Sequence, residues 1–167
     1  ETLDTFIVFS DEIAQIFFKV YPQLREKTIV ISHKTTIYHT VCIKPHKSIN
    51  IAFLGNIDLV VKGSHVVDRM IKIIDQYKNV KLKVIGKTEK SNRKLYSTGK
   101  YYPHELPNLM RREQIDIVFI ASVAPETFSY TTSEAMSMGL PIACFNFGAP
   151  YERVRNYSKG LILESMD

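Results

Sequence analysis

The sequence predicts an α/β domain built on a doubly wound parallel sheet of Rossmann-like form, and three observations predict it. Runs rich in Ile and Val recur along the chain, segments of helical period separate them, and Gly or Pro marks many of the transitions. Apolar runs that do not alternate with polar residues suit strands covered on both faces. Helices between them supply the crossovers that parallel pairing needs. The ligands of such a sheet lie beyond the carboxyl ends of its strands.

Taken in order, FIVF at residues 6–9 and TIVI at 28–31 read as strands with a helical segment between them. Residues 33–48, HKTTIYHTVCIKPHKS, have mixed polarity, three His and a Pro, and no clean period. The expected organisation is therefore a strand–helix–strand lead-in and connector over 1–48 and one α/β unit over 49–167. INIAFLG opens that unit. In KGSHVVDRMIKIIDQYKN, Val66, Met70, Ile73, Ile74 and Tyr77 recur at three- and four-residue steps, which predicts a helix with one buried stripe. VKLKVIG is the next strand, and PHELPNLMRREQ a helix with Pro107 in its first turn. IDIVFIA is a strand, SYTTSEAMSMG a helix closed by Gly139 and Pro141, and PIACFNF a strand. APYERVRNYSKG runs as a helix from Pro150 and closes at Gly160. No internal repeat appears.

A chain of 167 residues, 45% apolar, suffices for one real core. No apolar run reaches membrane-spanning length: IDIVFIASVA is interrupted by Asp116 and Ser122. No signal peptide is visible, and ETLDTF reads as an excised beginning. The two cysteines, Cys42 and Cys144, have no metal-type spacing, which fits a reduced cytoplasmic setting. The net charge of +5 is local, since from Lys78 to Lys100 there are eight basic residues and one acid, Glu89. Such a run is either a solvated face or an attraction for phosphorylated ligands or lipid head groups. Nucleic acid would call for Arg and aromatic reading elements; this run is mostly Lys, so no nucleic-acid partner is expected.

Absences narrow the chemistry. The sequence has no D-x-D, no H-E-x-x-H and no Cys cluster, so no metal site is expected. G-x-S-x-G, G-x-G-x-x-G and P-loop motifs are missing as well. The five His are scattered. What remains is a ring of strand ends. FLGNIDLVVKGSH places Gly55 and Asn56 in a turn and Lys62 at the mouth of a helix, where a cation opposes the macrodipole and invites an anion. STGKYYPHEL places Lys100, Tyr101 and Tyr102 ahead of another helix, the tyrosines being either core residues or a wall for a flat ring. PETFSYTTSEAMSMGLP sets Glu126 and Glu134 around seven residues, all but Phe128 carrying a hydroxyl. Thr131 and Glu134 fit a capping box, which leaves Glu126 and the other hydroxyls unexplained.

These motifs carry a resemblance. LGNIDLVVKG, VKLKVIG, YYPHELPNLM, IDIVFIAS, ETFSYTTSEAMSMGLPIACFNFGAPYERV and KGLIL, spanning about residues 49–162, resemble the C-terminal donor-binding domain of a GT-B glycosyltransferase of the retaining family 4. The two glutamates with EAMSMGLPIACF behind them are its most specific part. Residues 6–33 resemble the stretch leading out of that family's N-terminal domain. The resemblance implies that Glu134 binds the ribose of a nucleoside diphosphate and Glu126 the donor sugar. It implies that amides at Ser129, Tyr130 and Thr131 meet the diphosphate and sugar, that Lys62 neutralises the diphosphate, and that Lys100, Tyr101 and Tyr102 hold the base. Gly55, Asn56 and Phe128 complete the implied donor-binding set, with Glu126 and Lys62 as the catalytic pair. Asn56 stands where the family usually has Arg, and Ser129 where it has Gly.

The implied activity is metal-independent and cofactor-free transfer of a hexosyl group from a nucleotide sugar to a glycan or lipid-linked acceptor, as in bacterial polysaccharide biosynthesis. A cytoplasmic location with peripheral membrane association suits such an acceptor. An acceptor-binding N-terminal domain is expected in the same parent chain, so this segment alone is expected to be inactive. The rival readings are a sugar-nucleotide epimerase or phosphorylase on the same fold, and a non-catalytic nucleotide-binding module.

Overall fold

The computed structural model describes residues 4–90 and 94–164; Arg93 of the basic run lies outside the described residues. A small parallel pair comes first, β1 (Phe6–Val8) with β2 (Thr28–Val30), joined through α1 (Asp11–Val20). Ser10 starts α1, its Oγ accepting the Ile13 N–H at 3.4 Å, and Asp11 and Glu12 occupy the first turn where the helix dipole favours acids.

The main sheet contains β3 (Ile49–Leu54), β4 (Val80–Ile85), β5 (Leu95–Ser97), β6 (Ile117–Ile120), β7 (Ile142–Phe145) and β8 (Gly160–Leu163). All neighbours are parallel, in the order β5-β4-β3-β6-β7-β8. The crossovers hold α2 (Ser64–Ile73), α3 (Leu106–Arg112), α4 (Tyr130–Ser137) and α5 (Gly148–Val154). The doubly wound sheet is as the sequence predicts. Strand order reverses between β3 and β6, so a crevice opens beyond their carboxyl ends.

Alternate side chains feed two core layers. Leu54, Val118 and Ile120 pack with Leu106, Met110, Ala135 and Met138 on the α3 and α4 side. Phe53, Phe119 and Ala121 pack with Val66, Val67 and Ile71 on the α2 side, with the rings of Phe53 and Phe119 5.8 Å apart. Here the predicted α2 stripe needs correction. Val66, Val67 and Ile71 are buried, whereas Ile73 and Tyr77 are about half exposed. The packed face runs through Val66, Val67, Met70, Ile71 and Ile74 at regular helical spacing, so the stripe is turned toward Val67 and Ile71 and leaves Ile73 and Tyr77 outside it.

Three other differences are informative. β5, only LYS, was too short and polar to read as a strand, yet it pairs Leu95 with Leu82 at the sheet edge. The connector has no regular structure from 31 to 46, but it is anchored. Val41 is buried in the core and donates its N–H to Met138 O at 2.9 Å, and His46 Nε2 lies 3.1 Å from Asp116. The basic run is not a continuous positive field. Lys83 pairs with Glu113 at 3.1 Å, Lys90 with Asp68 at 2.8 Å, and Lys94 with Asp75. Among the described residues no helix is long and apolar enough to cross a membrane.

Candidate functional site

A crevice of about 150 Å³ lies at the carboxyl ends of β3 and β6, where Gly55, Asn56, Lys62, Ser122, Glu126 and Thr131 meet. Its geometry depends on close backbone approaches. Gly63, at φ +81°, ends the 3-10 turn that carries Lys62, and a Cβ there would lie 2.0 Å from Ala121 O. The Lys62 turn is thus seated directly on the end of β6, and Val123 N–H donates to Val61 O at 3.0 Å. Gly63→Ala is expected to cost about 2 kcal/mol or more, combining left-handed strain with a backbone clash. Chemical denaturation measures that loss.

The loop after β6 delivers Glu126. Gly148, at φ +71°, leaves room for it, because a Cβ would come within 3.0 Å of Glu126 N, and Ala149 N–H donates to Glu126 O at 3.1 Å. Glu126 Oε1 accepts from Lys62 Nζ at 2.6 Å and also from Ser122 Oγ. The Glu126 side chain is 13% exposed and that of Lys62 is 42% exposed. The cation can therefore be reached by solvent while the carboxylate is mostly enclosed.

Ser129 is the N-cap of α4 through its backbone, its C=O accepting the Ser133 N–H at 3.2 Å. Thr131 and Glu134 do not form a capping box, because Thr131 already lies inside the helix. The hydroxyls instead bond to one another: Thr132 Oγ1 donates to Ser129 Oγ at 2.9 Å, and Thr131 Oγ1 is 3.2 Å from it. With no side-chain cap, the first amides of α4 keep their capacity to donate to an anion.

Phe128 is buried and its ring faces packing partners. His33 meets it edge-on at 4.9 Å, and the Arg153 guanidinium lies 3.8 Å over it. Arg153 Nη1 donates to Ser129 O at 3.0 Å and to Ser133 Oγ. Burial lowers the Arg153 pKa, partly offset by Glu152 and Glu126. Tyr130 is about half exposed.

Glu134 lies one turn further along α4. Burial raises its carboxyl above the ordinary range. The nearby Tyr101 phenol is pushed up to about 12, by burial first and then by Glu134 and Tyr38. Tyr38, whose phenol is also raised, chiefly by burial, donates its O–H to Pro103 O at 3.0 Å. Tyr102 is exposed and stacks on His104 with centroids 5.8 Å apart, and Lys100 is exposed beside it. Asn56 Oδ1 accepts the Asp58 N–H at 2.8 Å, which fixes the turn after β3.

The structure thus brings Gly55, Asn56, Lys62, Glu126 and Thr131 into one crevice and sets Glu134 beside Tyr101. Lys100, Tyr102 and Tyr130 stand on the surrounding surface. Sequence reasoning missed Ser122, Arg153 and His33. Ser122, four residues before Glu126, shows in the sequence only as an interruption of an apolar run. Two larger hollows lie elsewhere, one of about 600 Å³ lined by Ile37, Tyr102 and Arg111, the other of about 360 Å³ lined by Tyr77, Lys81 and Tyr96. The first contains no carboxylate, and the second, though it holds Asp75 paired with Lys94, lies along β4 and the end of α2 rather than at the carboxyl ends of β3 and β6.

The family described as glycosyl transferases group 1 matches residues 39–167. No curated protein matches the chain. Solved structures share the fold. TarM of S. aureus aligns with TM-score 0.74 and 14% identity, over 97% of this chain and 34% of that one. Anabaena HepE in complex with UDP and glucose aligns with TM-score 0.70 and 20% identity, over 98% of this chain and 50% of that one. The catalytic domain of starch synthase IV from Arabidopsis thaliana, bound to ADP and acarbose, aligns with TM-score 0.72 and 11% identity, over 98% and 45%. At these identities the likeness concerns the fold alone. This chain spans between about a third and a half of the length of those structures.

Proposed function

The chain belongs to the group 1 glycosyl transferases, and from that premise we propose that it is the nucleotide-sugar-binding half of a retaining family 4 enzyme. It would transfer a hexosyl group to a glycan or lipid-linked acceptor without a metal or other cofactor. The observation that carries this reading is the Lys62–Glu126–Ser122 grouping at the switch-point crevice, beside the uncapped start of α4.

In this reading the diphosphate lies between Lys62 and the amides of Ser129, Tyr130 and Thr131. Charge grows on the diphosphate as the sugar–oxygen bond breaks, so these donors act more strongly on the transition state than on the bound substrate. Once Lys62 turns to the diphosphate, the Glu126 carboxylate is released to accept sugar hydroxyls, with Ser122 holding Oε1 in place. Glu134 takes the ribose diol, which a carboxylate binds through two charge-assisted bonds. Tyr101, beside Glu134, and the Lys100 to Tyr102 loop border the base.

The N-terminal pair fits the same reading. Two parallel strands are marginal alone, and Ile7, Ile29, Val30 and Ile31 are 41–54% exposed. A covering layer from the acceptor-binding half would bury them.

A calorimetric panel of UDP, ADP, GDP and their sugar conjugates tests the proposal. At least one is expected to bind, with the same affinity in the presence of chelator, and the 167-residue chain is expected to transfer no sugar. Binding that disappears with chelator would contradict metal independence. Absence of any binding would overturn the donor-site reading.

A further inference from the structure

We infer that Lys87 is a donor-binding residue, the second cation that meets the diphosphate at the mouth of the crevice. The inference rests on the donor-site reading and extends it to a residue outside the crevice lining.

Charge makes the case for a second cation. Lys62 is the crevice's lysine, and it is matched by Glu126 at 2.6 Å. These two side chains together bring no net positive charge to a ligand that carries at least two negative charges. The α4 amides contribute partial charge only. Arg153 lies near Glu126, but its guanidinium sits over the Phe128 ring and donates to Ser129 O and Ser133 Oγ, so a further free charge has to come from a neighbouring loop if the diphosphate is to be neutralised.

The loop after β4 is held where it can supply one. Gly86, at φ +145°, lies against the turn after β3, and a Cβ on it would be 2.4 Å from Gly55 O. Its N–H donates to Thr98 Oγ1 at 3.0 Å, and its C=O accepts from Ser97 Oγ at 2.7 Å. On the other flank Asp58, from the turn after β3, accepts from Thr88 Oγ1 at 2.5 Å and from Glu89 N–H at 2.9 Å. Both neighbours of residue 87 are therefore fastened to the rim of the crevice.

The side chains of that loop divide by occupation. Lys90 Nζ is taken by both Asp68 oxygens at 2.8 Å. Lys87 is exposed, and among the described residues it makes no ion pair. Consecutive Cα atoms are about 3.8 Å apart, and a lysine ammonium reaches roughly 6 Å beyond its own Cα. From beside Gly86, Lys87 can reach a phosphate held at Gly55 and Asn56. Asn56 does not compete for that role, since its Oδ1 caps the local turn.

The test uses the whole chain and the nucleoside diphosphate that binds best among UDP, ADP and GDP. Lys87→Met is expected to weaken it about tenfold or more at low salt, with the thermal midpoint unchanged. Lys87→Arg is expected to keep the affinity, and Lys90→Met to leave it unchanged. The Lys87→Met loss should shrink as salt rises, because the residue is exposed. If wild-type chain binds and Lys87→Met binds equally well, the inference is overturned while the donor reading stands. If wild-type chain binds none of the three, both fall. A loss in Lys87→Met that Lys87→Arg does not restore would also contradict a charge-based role.

Discussion

Lys62→Ala is expected to weaken nucleoside-diphosphate binding by about 10- to 100-fold, the worth of a charged hydrogen bond removed from an enclosed site. The same change leaves Glu126, 13% exposed, with Ser122 and no paired cation, only the more distant charge of Arg153. Stranding a buried charge costs several kcal/mol. Lys62 is itself 42% exposed, so about 1–2 kcal/mol of stability is the expected loss. Glu126→Gln separates the two roles. It removes the partner that neutralises Lys62, so it is expected to tighten a bare nucleoside diphosphate by about two- to tenfold. It should also abolish the extra affinity that an attached sugar provides. Calorimetry with a diphosphate and its sugar conjugate reads both effects. If Glu126→Gln weakens the bare diphosphate, Lys62 does not exchange between carboxylate and phosphate.

Glu134→Gln is expected to weaken the nucleotide about tenfold or more while the folded state gains or keeps stability at neutral pH. Its carboxyl is raised by burial and faces the phenols of Tyr101 and Tyr38. No cation lies within ion-pair distance of it among the described residues. A carboxyl with a raised folded pKa holds its proton more firmly in the folded chain than in the unfolded one. Its contribution to stability is present below the ordinary carboxylate range and is lost as pH rises through the raised value. Glutamine removes that loss. Ribose hydroxyls would favour the ionised form, so nucleotide affinity should fall as pH drops through the raised Glu134 value, and Glu134→Gln should be flat over that window. Comparing wild type with the variant cancels the titration of the phosphate itself. A residue that merely capped α4 would show the reverse, with lower stability and unchanged affinity.

The strands and crossovers were legible because β3, β4, β6 and β7 are long enough for apolar character to declare itself. β5 was not, since three residues at an edge carry too little pattern and owe their state to β4. The α2 stripe is misphased because Ile73 and Tyr77 are apolar or aromatic yet face outward, and apolar spacing alone does not separate them from Val67 and Ile71 on the packed face. Gly55, Lys62, Glu126 and Glu134 could be picked out because punctuation and acid spacing mark them along the chain. Ser122 and Arg153 act through partners 4 to 24 residues away, reached by a strand end and a neighbouring helix. Only folding brings them to Glu126 and Ser129. The basic run shows the converse: its sequence leaves open a solvated face or an attraction for anions, and only the fold supplies Glu113, Asp68 and Asp75 as partners for Lys83, Lys90 and Lys94.

In the proposed reading a nucleoside diphosphate lies at the carboxyl ends of β3 and β6 against the start of α4. Backbone amide shifts of isotope-labelled chain, followed by nuclear magnetic resonance during titration with UDP, ADP or GDP, test it most directly. The largest shifts are expected at Gly55, Lys62, Gly63, Tyr130, Thr131 and Glu134, with smaller ones around Lys87 and Tyr101. Shifts centred instead on the hollow near Tyr77, Lys81 and Tyr96, or on the one near Ile37 and Arg111, with the α4 amides unmoved, would contradict it.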